Sequence, residues 1–236
     1  MSWLDDIVMQ IAKLGMAAPP TEVFSSPQQP LPEAPVSPQE PRQLPFYPSE
    51  RYIKYNRAPE TSLTDQHVSA IAKAAKMAEN TGTLSPELSK YLLPIAMTEG
   101  WGGNMGVLQS DKNAFYASKR FQRFAENMGL KEGDDLTPIY VKGEKHYVPN
   151  QNAENGPRLA AAILAEKAAQ ARQRGDSSVD TAIMRYNGKG KATEEYYGEL
   201  VPADTAVYLR KVKEAERLLQ HPVNADIWGH YQKEYR

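Results

Sequence analysis

The chain has 236 residues, 41% hydrophobic and 24% charged, which suits one well-cored globular domain with appendages. A net charge of −1 offers nucleic acid no basic surface, and no apolar run approaches the roughly 20 residues that span a bilayer. Cysteine is absent, so disulfide and thiolate chemistry are excluded.

Residues 2–13 read as a short amphipathic helix. Leu4, Ile7, Val8 and Ile11 recur at i, i+3, i+4 and i+7, and Ser2 can cap the start. Such a helix either docks on its own domain or a sister copy, or anchors the chain to a partner protein; its two aspartates make a membrane the weaker choice. The opening Met1-Ser2-Trp3-Leu4-Asp5-Asp6 is acidic where a secretory signal is basic, so Sec-type export is not expected. From Pro19 to Pro48, ten of thirty residues are proline, among Gln, Ser and Glu. That composition cannot bury enough apolar surface to offset chain entropy, and it predicts an extended spacer. The expected organisation is therefore an N-terminal helix over 1–18, a spacer over 19–60, a globular domain over 61–223 and a tail over 224–236.

Beyond the spacer the pattern is helical. Val68, Ile71, Ala72 and Ala75 share one face of a helix over 65–80, with Gly82 past its end. Ser85-Pro86 starts the next helix, which runs towards Glu99 with a kink or restart at Pro94. A helix over 119–128 is closed by Gly129. Residues 139–141 and 146–148 flank Lys142-Gly143-Glu144-Lys145 and suggest a small β-hairpin. Long helices follow over 154–174, 180–186 and 204–220, the last with Tyr208, Val212, Ala215 and Leu219 as a core stripe. The predicted fold is mainly α with a small β element.

One carboxylate stands out. Leu92, Ile95, Ala96 and Glu99 fall at i, i+3, i+4 and i+7, which puts Glu99 on the apolar stripe of its own helix. An ionised carboxylate there is costly, so burial raises its pKa. Gly100, Gly102 and Gly103 end the helix, and the negative end of the helix dipole disfavours the anion further. Both effects favour a carboxyl that keeps its proton near neutral pH, as a general acid requires. The same spacing also fits a glutamate salt-bridged at a helix C-terminus.

Four further segments follow in order: Gly106-Val107-Leu108-Gln109, Asn152-Ala153-Glu154-Asn155-Gly156, Tyr186-Asn187-Gly188 and Tyr208-Leu209-Arg210-Lys211-Val212. With Glu99-Gly100 they resemble the signatures of soluble lytic transglycosylases over roughly residues 85–220. Gly100 stands where that family has serine, Asp111 where methionine is frequent, and Arg185 where alanine precedes Tyr-Asn.

The resemblance implies an α+β lysozyme-like fold and a peptidoglycan substrate, cut between N-acetylmuramic acid and N-acetylglucosamine. Glu99 would be the acid/base, and the product would be a 1,6-anhydro sugar. Gln109 and Asn187 would bond the acetamido group or orient Glu99. Tyr186 would either contact Glu99 or a sugar, or fill the core. Trp101 reads equally as a stacking platform or as a tryptophan packed on its own domain. Asp111, if it reached the site, would serve as a second carboxylate and make the protein a muramidase. The alternative from another class is a lysozyme-like virion protein without catalysis. The four histidines lack metal-ligand spacing, and neither metal nor cofactor is expected. An amphipathic helix and spacer ahead of a wall-cleaving head suit a bacteriophage particle, bound through them to other virion proteins and delivering the enzyme to the host wall. A late-released endolysin is the next option.

Overall fold

The computed structural model describes residues 40–49, 62–99, 115–150, 155–187 and 203–236. The amphipathic segment 1–18 and the spacer up to residue 39 lie outside the described residues. The fold is mainly α, as the periodicities predict, with two small sheets where the sequence predicts a single hairpin.

The domain begins earlier than residue 61. Within the proline-rich stretch, Leu44 and Phe46 alternate inward and are almost wholly buried. They belong to and follow strand β1 (Gln43–Pro45), which pairs antiparallel with β2 (Ser62–Thr64) in the register Leu44↔Leu63. Pro45 is tolerated because the sheet has only these two strands, so its missing N–H costs no interior ladder bond. Past the strand, Tyr47 N–H donates to Asn224 Oδ1 at 2.8 Å and Ser49 Oγ to Glu214 Oε1 at 2.8 Å.

Helix α1 (Asp65–Asn80) starts at Thr64, whose Oγ1 accepts from the His67 N–H at 3.2 Å. Val68, Ile71, Ala72 and Ala75 form its buried face. The segment towards Glu99 is two helices, α2 (Pro86–Ser89) and α3 (Leu92–Glu99). The break falls at Lys90-Tyr91, ahead of the expected site. Pro94 sits in the first turn of α3, where a missing N–H is harmless.

Strand β3 (Phe115–Tyr116) precedes α4 (Lys119–Asn127). Ser118 caps α4 by accepting from the Phe121 N–H at 3.0 Å. Gly129, at φ +67°, closes it: the N–H groups of Gly129 and Leu130 bond the carbonyls of Glu126 and Ala125, both at 2.9 Å. The hairpin joins β4 (Leu136–Val141) to β5 (Glu144–Pro149). Its turn is two residues rather than four. Lys142 and Gly143 both have positive φ (54° and 82°), as a type I′ turn demands, and Val141 pairs with Glu144. β3 adds to β5, giving the order β3-β5-β4.

Helix α5 (Asn155–Gln173) is the centre of the domain, packing on α1, α4 and α6 (Val179–Asn187). Six of its buried positions are alanines between 160 and 171, small enough for neighbouring backbones to approach closely. Helix α7 (Ala203–Leu219) packs on α3 and α6, with Tyr208, Val212, Ala215 and Leu219 all buried.

Residues 224–236 are not a tail. After a 3₁₀ turn (Pro222–Asn224), helix α8 (Ala225–Tyr235) packs along α1. Ile227 and Tyr231 are buried, Trp228, Tyr231 and Tyr235 stack in series, and His230 Nε2 lies 2.9 Å from Ser69 Oγ. No helix among the described residues is long and apolar enough to cross a membrane.

If β1 and α8 are parts of the core, Leu44→Ala and Ile227→Ala each cost about 2–5 kcal/mol in urea unfolding. A loss within about 0.5 kcal/mol, the usual range for surface positions, would place them outside it.

Candidate active site

Leu92, Ile95 and Ala96 are buried as the stripe requires, and Glu99 ends it as the last residue of α3, partly exposed. Its side chain thus ends an otherwise buried apolar stripe. Burial raises its pKa above the ordinary glutamate value. Two opposing influences come from α7: hydrogen-bonding character from the Tyr208 hydroxyl, then the positive charge of Lys211. Burial prevails. Among the described residues Glu99 makes no salt bridge.

Two tyrosines face this carboxyl from different helices. Tyr186, near the end of α6, has its pKa pushed well up, first by burial and then by the Glu99 charge. Tyr208 on α7 is pushed well up by burial, and then by Glu99 and Tyr186. The two phenols and the carboxyl thus form one electrostatically coupled cluster. The Tyr208 hydroxyl is buried and makes no hydrogen bond to any described group. A buried hydroxyl left so costs free energy unless a closer approach satisfies it.

The frame that holds the cluster is polar. Lys213, one turn beyond Leu209 on α7, donates to Tyr91 Oη at 2.8 Å and pairs with Asp180 Oδ1 at 2.9 Å. It ties α7 both to the residue that leads into α3 and to the first turn of α6. Its ammonium also lies 4.7 Å from the Tyr91 ring centroid. The three helices that carry Glu99, Tyr186 and Tyr208 are thereby fixed to one another.

Other expected residues are placed less fully. Trp101, Gln109 and Asp111 lie outside the described residues. Asn187 is the last residue of α6, next to Tyr186, but its side chain is outside the described set. Arg185 is buried in α6, and its charge helps to lower the pKa of Lys167 on α5, where burial is the larger cause.

The sequence places Tyr208 both on the core stripe and in a signature segment, and Lys211 in that segment alone. Their spacing, i and i+3 on one helix face, was the available signal that both reach one place. Glu166, a buried carboxylate in α5, carries no such signal in the sequence; it accepts from Ser118 Oγ and Gln170 Nε2, each at 3.0 Å. Glu166 thereby steadies the residue that caps α4. No family model matches this chain, and no curated protein or solved structure is significantly similar to it.

A carboxyl with a raised pKa makes stability depend on pH in a definite sense. The neutral form fits the fold, so its contribution is complete below the unfolded-state pKa and lost as pH rises through the folded-state value. Glu99→Gln is neutral at every pH. The variant is expected to melt with wild type at pH 4 and above it at pH 8, by about 2–4 °C for each kcal/mol of ionisation cost removed. Equal melting temperatures at both pH values would contradict the raised pKa.

Proposed function

We propose that this protein is a peptidoglycan lytic transglycosylase, with Glu99 as its single acid/base. The observation that carries the reading is the convergence of three separate signature segments. Tyr186 on α6 and Tyr208 with Lys211 on α7 bear electrostatically on Glu99 of α3, a carboxyl whose pKa burial raises. A core glutamate needs no such company.

The chemistry follows from that carboxyl. In its neutral form Glu99 protonates the glycosidic oxygen between N-acetylmuramic acid and N-acetylglucosamine, and the C1–O bond breaks. The 2-acetamido group of the muramic sugar stabilises the oxocarbenium-like centre. Glu99, now a carboxylate, takes the proton of the 6-hydroxyl as O6 bonds to C1. The 1,6-anhydro ring closes and Glu99 is again protonated. No water is consumed. One carboxylate suffices because the substrate supplies what a second would provide in a two-carboxylate glycosidase. The Tyr208 hydroxyl steadies the carboxylate between the two transfers, and Gln109 and Asn187 hold the acetamido group or orient Glu99.

A proline-rich stretch ahead of the domain suits a tether, and a bacteriophage particle is our reading of the setting. Recovery of the polypeptide from purified particles tests it; its absence from them would end that reading.

The activity itself is tested on cell walls embedded in a gel. Wild type is expected to clear them. Glu99→Gln, which preserves shape but carries no transferable proton, is expected to lose at least about a hundredfold in rate. Equal clearing by both would remove Glu99 from the mechanism. Clearing by neither would favour a non-catalytic wall-binding or structural role.

A further inference from the structure

A net charge of −1 conceals a surface on which cations gather at one place. Helix α4 runs antiparallel to α5, and hydrogen bonds at both ends fix that arrangement. At one end Ser118 Oγ and Gln170 Nε2 donate to the same oxygen of Glu166, each at 3.0 Å. At the other, Arg158 Nη1 donates to the Gly129 carbonyl at 3.1 Å. The first turn of α4 therefore lies beside the last turns of α5. α4 opens with Lys119 and Arg120, followed by Arg123, while α5 runs out through Arg172 towards Arg174. Lys119, Arg123, Arg172 and Arg174 are exposed, and Arg120 is half-buried.

No described group neutralises these five cations: none makes a salt bridge within 4 Å among the described residues. The carboxylates at this end are committed inward. Glu166 is buried on Ser118 and Gln170, and Asp176 accepts from the Ser178 N–H and the Thr181 hydroxyl just ahead of α6. Glu126, the acid of α4, stands in its last turn and pairs with no described cation. Phe121, Ala125 and Met128 are buried, so Lys119, Arg120 and Arg123 fall on the opposite face of the helix, within an arc of roughly 100°. Lys119 and Arg120 also sit at the positive end of the α4 dipole, where cations oppose the helix. Their charge does nothing for the fold and is free for a partner.

Unpaired cations on two adjoining helix ends suit a polyanion. Four of the five are arginines, whose planar fork fits carboxylates in a bidentate manner. The wall substrate proposed above carries such groups, because its peptide stems bear free carboxylates at intervals along the glycan strand. We propose that the adjoining ends of α4 and α5 bind the carboxylates of peptidoglycan stems and hold the domain on the wall. The surface itself stands on the geometry; the choice of partner rests on the wall-cleaving reading.

Binding is measured apart from cutting, by co-sedimentation of the full-length Glu99→Gln chain with purified sacculi free of teichoic acid. Adding Lys119→Gln, Arg123→Gln, Arg172→Gln and Arg174→Gln together is expected to weaken binding about tenfold. Rising salt should weaken the parent chain and have little effect on the fourfold variant. Sacculi whose carboxylates are converted to neutral amides should bind the parent no better than the variant. Unchanged binding by a folded fourfold variant, or full binding to the amidated sacculi, would overturn the proposal. So would tighter, charge-dependent binding to phosphatidylglycerol vesicles, which would make the surface a membrane contact. If the fourfold variant does not fold, the Lys119/Arg123 and Arg172/Arg174 pairs are changed separately, each with an expected loss of about threefold. Carboxylate-dependent binding without Glu99-dependent clearing would keep the surface and reject the enzyme reading. Clearing by wild type with charge-independent binding would do the reverse.

Discussion

Putting a carboxyl on the apolar stripe of a helix sets two demands against each other. The helix must bury Leu92, Ile95 and Ala96 to be held at all, yet that same burial penalises the charge on Glu99. Burial prevails over the opposing influences of the Tyr208 hydroxyl and the Lys211 charge, so the carboxyl's pKa is raised, and among the described residues no salt bridge offsets it. Much of the arrangement around α3 follows from this choice. α7 must be close enough for Tyr208 to reach the carboxyl, and α6 must bring Tyr186 to the same place.

The polar ties that keep these helices in register lie away from the carboxyl. Lys213 joins α7 to Tyr91 and Asp180, and Lys90 adds an ion pair to Glu216 at 3.5 Å. Such exposed pairs contribute little stability singly, so their value lies in geometry. Stability comes from the central helix α5, whose alanines admit α1, α4 and α6 at close range. Scaffold and site thus draw on separate interactions, and the site can carry an unsatisfied Tyr208 hydroxyl without loosening the core.

The long helices could be read from sequence because their stripes are strong and their ends are marked. α1 matches its predicted bounds, and Gly129 closes α4 where a left-handed residue was needed. Two elements escaped. Leu44 and Phe46 make a short inward alternation that a window averaged over prolines conceals. Ile227 and Tyr231 make a helical stripe diluted by Gly229, His230, Gln232 and Lys233. In both cases the partner is distant in sequence, β2 for one and α1 for the other, so no local signal announces the burial. At the site, Glu99 could be singled out because its own helix reports its facing. Tyr208 could not, because a tyrosine on a buried stripe reads as core until another helix supplies the carboxyl beside it.

The most direct measurement is the mass of the sugar ends released from purified peptidoglycan. A single carboxylate that returns its proton predicts fragments ending in 1,6-anhydro muramic acid, one water lighter than reducing ends, and none from Glu99→Gln. Fragments with reducing ends only would mean that water attacks and a second carboxylate takes part, contradicting the one-acid account.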